Sequence, residues 1–428
     1  MPRLSEDLTF RGLCYQVSSP RLLERLDHEQ FSVYGGFDPT SSSLQVGNLL
    51  LVCTLRRFQE AGHRPIALAG GGTGLIGDPG GKSEERPLLS VEDHAANMAG
   101  IASELGRFLD FSAERGAAQA LLLDNASWLG ELHLLDFLRE VGKHFTVNQM
   151  VAKESVRSRL DRPDQGISYA EFSYMLLQAY DFLYLYDHYG CRIQLGGSDQ
   201  WGNITMGTEL IRRSRRAEAY ALTSPLVVRS DGTKFGKSDG TALYLDPAKT
   251  SPFALYQYFV RVDDELVSTY LRYYSFLDHE AILDLEEATK TRPERREAQR
   301  ALARELCSLV HGHEEAARVE RAAAALYSEE IASLDDSTLA EIFADAPSSL
   351  LARVSLDEGG LDLAASLAQS GLVSSRGAAR TAIAQGGVYI NNRRRDDPGA
   401  TITAEDLLGG RYVVLRRGRR DYHVLCFA

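Results

Sequence analysis

The chain contains no apolar run approaching the roughly 18 to 20 residues that a helix needs to span a bilayer. Its start, Met1-Pro2-Arg3-Leu4-Ser5-Glu6-Asp7, lacks the charged-then-apolar profile of a signal peptide. A cytosolic protein without a membrane partner is therefore expected. Cysteine is sparse: Cys14, Cys53, Cys191, Cys307 and Cys426 are odd in number, scattered, and form no Cys-x-x-Cys pair. That pattern gives no support to a disulfide framework, a zinc site or a redox dithiol, and buried free thiols are the plain reading. Lysine is scarcer still relative to arginine, seven against forty, yet Lys82, Lys234 and Lys237 all fall in glycine-rich segments. A compact, flexible ammonium can serve there where a planar guanidinium would not.

What is present begins with size. At 428 residues and 44% hydrophobic, the chain can bury one large core plus one or two smaller modules. The net charge of −12 excludes a protein that coats nucleic acid indiscriminately. The average hides a gradient: from Leu361 to Ala428 there are ten Arg, no Lys and six acids, a local +4 that leaves −16 for the rest. A small basic module ends an acidic body.

The first half alternates β-rich runs with helical stretches, the pattern of a doubly wound parallel sheet. Strands are expected at Ser32–Phe37, Pro65–Ala69, Ala120–Asp124 and Arg192–Leu195, and helices at Leu49–Gly62 and Tyr169–Tyr186. Between Glu131 and Arg159 the apolar positions Leu134, Leu135, Leu138, Val141 and Phe145 recur at helical spacing, with a break near Thr146. Gly35, Gly70 to Gly74 and Asp124 fall at or just past strand ends, where ligands bind in such folds. The domain reading is a Rossmann-like body over 1–228 with a helical insertion at about 130–170, then a lysine-bearing loop over 229–250. A helical domain over 251–330, a linker over 331–360 and a small α+β module over 361–428 complete it.

Two phosphate-binding motifs are nearly matched and fail on chemistry. Gly72-Thr73-Gly74-Leu75-Ile76-Gly77 follows a strand as a dinucleotide fingerprint should, but it runs into Asp78-Pro79-Gly80-Gly81, which cannot open the required helix. Gly81-Lys82-Ser83 ends like a P-loop, yet Ile76 stands where the first glycine belongs. What survives is a glycine-rich loop that lets backbone approach an anion, with Lys82 and Arg86 supplying charge. Tyr174, Gln178 and Asp181 lie at i, i+4 and i+7, so all three project from one face of their helix. Buried together they need partners, which can be one another, water or a ligand.

The run Tyr34-Gly35-Gly36-Phe37-Asp38-Pro39-Thr40 through Gln45-Val46-Gly47-Asn48, with the distant Lys234-Phe235-Gly236-Lys237-Ser238, resembles the two signatures of the class I aminoacyl-tRNA synthetases. Tyr174, Gln178, Asp181 and Asp199-Gln200-Trp201-Gly202-Asn203 resemble the tyrosyl branch of that family, and the likeness extends over nearly the whole chain. It implies a phenol site at Tyr34 and Asp181, an ammonium site at Asp78, Tyr174 and Gln178, and Gln200 near the carboxylate. Gly36, Asp38, Gly47, Gly197, Asp199 and Lys237 would line the ATP side. Thr40, Gln45, Asn48, Lys82, Arg86, Lys234 and Lys237 would stabilise charge on the departing pyrophosphate. Ser374 to Arg380, the turn Gly386 to Asn391 and the following arginines resemble an S4 RNA-binding module, with Arg376, Arg380, Arg393 and Arg394 facing an RNA backbone.

The resemblance implies tyrosine, Mg-ATP and a tyrosine tRNA as substrates, no protein-bound metal or organic cofactor, and a homodimer through Leu132 to Tyr169. A buried core helix would give the same apolar pattern there. The family's His-x-Gly-His reads Gln45-Val46-Gly47-Asn48 here. Amides keep the hydrogen-bond donors that the imidazoles supply. Losing charge assistance at residue 45 costs on the order of 1 to 2 kcal/mol, roughly tenfold in rate, which attenuates and does not abolish. Two other readings share the same residues: an RNA-binding protein that has lost activation, and an enzyme that hands activated tyrosine to another acceptor. A binder need not keep the tyrosine pocket, both lysines and Asp199, and the basic C-terminal module disfavours the second.

Overall fold

A computed structural model describes residues 2–78, 90–153, 166–230, 242–326 and 328–428, less 345, 358, 419 and 420, and also 156, 157, 160, 232 and 233. The chain forms two compact units, one of residues 1–250 and 262–302 and one of 251–261 and 303–428.

The first unit is built on a six-stranded sheet: β1 (Gln16–Val17), β2 (Ser32–Phe37), β3 (Arg64–Ala69), β4 (Leu121–Asp124), β5 (Cys191–Gly197) and β6 (Tyr220–Ser224), in the order β1-β6-β5-β2-β3-β4. All pairings are parallel except β1 with β6. The chain steps outward from β2 to β3 and β4, then returns to place β5 on the other flank of β2. That reversal creates a switch point between β2 and β5, where the crossovers diverge and leave a crevice. Register puts Tyr34 beside Ile66 on one neighbour and Gln194 on the other.

Local chemistry sets the helices that frame the crevice. The Val46–Glu60 helix starts where Asn48 Oδ1 accepts from the Gln45 backbone N–H at 3.1 Å. It buries Leu49, Val52 and Leu55 completely. The Tyr169–Tyr189 helix opens on a reciprocal cap, with Ser168 Oγ accepting from the Glu171 N–H and Glu171 from the Ser168 N–H. It closes on Gly190, whose φ of +61° a side chain would resist. The break expected near Thr146 is the cap of the short Val147–Val151 helix.

The helices Asp264–Tyr274 and His279–Thr291, expected in a separate helical domain, belong to this first unit. Arg11 explains the attachment: its guanidinium donates to the carbonyls of Arg272, Ser275 and Leu277 at 3.1, 2.9 and 2.6 Å. Helical periodicity shows which face is apolar, and is silent on which body receives it.

In the second unit the stretch 331–360, expected as a linker, carries ordered elements. Asp335 caps the Asp336–Phe343 helix, and β7 (Ser348–Leu351) pairs in parallel with β13 (Asp421–Phe427). The sheet continues through β12 (Tyr412–Arg417) and β9 (Val388–Ile390) to β10 (Arg393–Arg395), and β8 (Leu361–Asp362) pairs with β11 (Thr401–Ile402) in a separate ladder. β9 and β10 join through Asn391 and Asn392 at φ +48° and +63°, the left-handed pair a tight hairpin needs. The Arg376–Ala384 helix, capped by Ser375, packs Ala379 and Ile383 on this core.

Candidate active site

A cavity of about 330 Å³ lies beyond the carboxyl ends of β2 and β5. Around Asp181 and Tyr34 its lining is a buried polar network. Asp181, 2% exposed, accepts from Asn125 Nδ2 at 2.9 Å and from the Trp128 indole N–H at 2.7 Å. Burial pushes the Asp181 carboxyl up to about 7, against the pull of those two donors, and the Asp38 and Asp124 carboxylates push in the same direction as burial. Tyr34, 1% exposed, packs its ring 5.3 Å from that of Phe182, and its hydroxyl has no partner among the described residues. Burial, and then the Asp181 charge, raises its phenol well above the ordinary range, so it stays protonated and able to donate.

An unpaired buried hydroxyl costs about 1 to 3 kcal/mol, which a ligand's polar group can recover. A fixed acceptor next to a free donor suits a hydroxyl that both gives and takes a hydrogen bond. A phenol at the end of a flat apolar ring fits that description.

Nearer the mouth a second network presents negative charge and amides. Asp78 accepts from Gln200 Nε2 at 2.5 Å and from Asn203 Nδ2 at 3.5 Å. Gln178 Nε2 donates to Gln200 Oε1 at 3.3 Å, while its own carbonyl oxygen is buried and unpaired among the described residues. An ammonium group could be met here by a carboxylate and a free carbonyl. Tyr174 instead donates to Asp38 Oδ2 at 2.8 Å, and Thr73 donates to Asp38 Oδ1 at 3.0 Å. Burial raises the Tyr174 phenol well above its ordinary value, with the Asp38 charge next in size. The backbone must pass close to make this link: a Cβ on Gly70 would sit 2.1 Å from Asp38 Oδ1.

Gly36, Asp38, Thr40, Gly47, Gly197 and Asp199 border the same cavity, as do Gln45 and Asn48. Asn48 is exposed and spends its carbonyl oxygen on the Gln45 N–H, a contact that does not use its amide N–H groups. The first motif pairs through its backbone with residues 243–245. Val46 N donates to Leu243 O at 3.0 Å and Leu245 N to Leu44 O at 2.9 Å. Lys82, Arg86, Lys234 and Lys237 lie outside the described residues. Of the C-terminal arginines, Arg376, Arg380, Arg393 and Arg394 are exposed, and Arg393 lies 3.4 Å from Glu329.

Sequence reasoning misses Asn125, Trp128 and Gln194, and quotes Thr73 and Asn203 only as members of their motifs. A signal exists for two: Asn125 follows strand β4 directly, and Trp128 is one of only two tryptophans.

A family model described as tRNA synthetases class I (W and Y) matches residues 26–328, and one described as the tyrosine--tRNA ligase SYY-like C-terminal domain matches 338–425. The tyrosine--tRNA ligase of Roseiflexus castenholzii is 52% identical over 425 residues, 99% of each chain. The chain belongs to the class I tyrosyl-tRNA synthetases.

Another relative in this synthetase family, the tyrosine--tRNA ligase of Geobacillus stearothermophilus, is 48% identical over 428 residues, 99% of this chain and 100% of that one. Among solved structures, a C-terminally truncated mitochondrial tyrosyl-tRNA synthetase of Aspergillus nidulans aligns with a TM-score of 0.68 at 31% identity. It covers 76% of this chain and 94% of its own.

Proposed function

We infer that the chain is a tyrosine–tRNA ligase: it activates L-tyrosine with ATP to tyrosyl-adenylate and passes the tyrosyl group to the 3′ end of a tyrosine tRNA. The observation that carries this reading is an unpaired Tyr34 hydroxyl and a doubly held Asp181 lining one cavity. A phenylalanine side chain would strand both groups. The penalty for such a mismatch, about 10⁵-fold, is the general value for tyrosyl-tRNA synthetases, carried over from that class of enzyme.

The substrate carboxylate attacks the α-phosphorus of ATP, pyrophosphate departs, and the terminal ribose hydroxyl of the tRNA then takes the acyl group. No side chain acts as nucleophile, so the protein's work is placement and charge stabilisation. Asp78 with Gln178 holds the ammonium group, and Gln200 lies toward the carboxylate. Gly36, Asp38, Gly47, Gly197 and Asp199 face ATP, which enters as its magnesium complex. Thr40, Gln45, Asn48, Lys82, Arg86, Lys234 and Lys237 meet the triphosphate.

Leu134, Leu135 and Tyr169, at 67%, 78% and 74% exposure, support a homodimer through the 130–170 region, because large apolar groups left in water call for a partner. Exposed Arg376, Arg380, Arg393 and Arg394 support an RNA-binding C-terminal module. The proposed location is the cytoplasm, where tRNA and ATP meet; no described helix is long and apolar enough to cross a membrane. The test is tyrosine-dependent exchange of pyrophosphate into ATP by the purified chain, followed by charging of tRNA. Exchange that requires tyrosine supports the reading, and exchange no higher than in the absence of tyrosine rejects it.

A further inference from the structure

The Val91–Phe108 helix touches the segment before the Val46–Glu60 helix at three points on one of its faces. Asn97 Nδ2 donates to Pro39 O at 3.0 Å. Gly100 comes so close to the Ser42 carbonyl that a Cβ there would lie 2.0 Å from its oxygen. Glu104, 5% exposed, accepts from the Leu44 backbone N–H at 2.7 Å. Positions 97, 100 and 104 are i, i+3 and i+7, so a single stripe of the helix reads successive peptide groups of 39–44.

The third contact reaches further than the others. Leu44 gives its N–H to Glu104, and its carbonyl receives the Leu245 N–H. Ser43 beside it accepts from the Asp246 N–H at 3.0 Å, and its hydroxyl lies against the Glu104 carboxyl. One buried carboxyl group thus anchors residue 44, whose two flanking peptide groups join two segments, one leading into Gln45 and Asn48 and the other following Lys234 and Lys237 in sequence. A carboxylate is a costly choice at this depth. Burial pushes its pKa up, and the Asp246 charge adds to that push.

We propose that Glu104, aided by Asn97 and Gly100, is a positioning residue for adenylate formation, holding segments 39–46 and 243–246 together at the nucleotide end of the cavity. Glu104 touches neither substrate. It acts through the Leu44 peptide, and because reaction rate is steep in sub-ångström placement, loss of that anchor falls on ATP and not on tyrosine. The proposal rests on the ligase reading for its kinetic consequence only.

The experiment compares the full-length chain with Glu104→Ala and Glu104→Gln. Pyrophosphate exchange is measured over a range of ATP at saturating tyrosine, tyrosine binding by calorimetry, and amide hydrogen exchange over 42–46 and 243–246. Glu104→Ala lowers kcat/KM for ATP on the order of tenfold and speeds amide exchange in both segments. Tyrosine affinity stays within about twofold. Glu104→Gln, whose amide oxygen still accepts from Leu44, recovers most of the loss. Unchanged ATP kinetics, an equal loss of tyrosine affinity, or amide exchange that quickens in 42–46 alone would overturn the proposal. If the unaltered chain exchanges no pyrophosphate, the ligase reading fails separately, and hydrogen exchange still decides whether Glu104 couples the two segments.

Discussion

Trp128 donates its indole N–H to Asp181 at 2.7 Å while its ring stacks on Tyr184 at a centroid distance of 4.3 Å. The stack fixes the ring, and the ring holds the carboxylate proposed to receive the substrate phenol. Trp128→Phe keeps the stack and removes the donor. Loss of a hydrogen bond to a charged group costs about 1.5 to 3 kcal/mol, so kcat/KM for tyrosine falls at least about tenfold while the KM for ATP holds. Steady-state exchange kinetics with each substrate varied in turn measure both.

Asp181 also sets a pH dependence. Its folded pKa of about 7 lies above the ordinary carboxylate value of 3.8, so the folded chain binds this proton more tightly than the unfolded chain does. Its stabilising contribution is complete below the ordinary value and is lost as pH rises through about 7. The melting temperature of the substrate-free chain therefore declines over this window more than that of Asp181→Asn, which lacks the titration. Tyrosine binding moves the other way, tightening as the carboxylate ionises to accept the phenolic proton. Calorimetry across the window shows a midpoint near 7 in the unaltered chain and no such midpoint in Asp181→Asn.

The sheet is legible in the sequence because parallel strands buried on both faces read as short apolar runs: the expected Ser32–Phe37 matches β2, and Pro65–Ala69 misses only Arg64 of β3. Tyr174, Gln178 and Asp181 are legible because a helix repeats every 3.6 residues. Their partners are not. Asp38 is brought to Tyr174 across 136 residues and Asn125 to Asp181 across 56, and no local period reports such closures. The attachment of Asp264–Tyr274 to the first unit is hidden likewise, since it depends on Arg11, which is 261 residues before its acceptor Arg272.

At residues 45 and 48 helix capping can be separated from the proposed role in catalysis. Asn48→Asp keeps an oxygen for the Gln45 N–H, so stability is retained, but it removes the amide donor and places negative charge where the proposed reaction releases pyrophosphate. The exchange rate falls by on the order of a hundredfold, with the melting temperature unchanged. Gln45→His, which restores a group able to carry charge, raises the rate by up to about tenfold. Thermal melts beside single-turnover rates of adenylate formation check the pair.

Arg376 and Arg380 both start in solvent on one C-terminal helix. Removing them as Arg376→Ala with Arg380→Ala weakens tRNA binding and lowers the slope of log affinity against log salt by roughly one for each phosphate left unpaired. Pyrophosphate exchange, which needs no RNA, is unaffected. Filter binding over a salt series gives the slope.

A cavity built around a phenol must reject a bare benzene ring. Charging of purified tyrosine tRNA with tyrosine and with phenylalanine, run in parallel, reads that discrimination. Tyrosine is transferred readily, and phenylalanine less by several orders of magnitude, about the 10⁵-fold scale set by stranded polar groups in this class of enzyme. Comparable charging with both, or charging with neither while tRNA still binds, would contradict it.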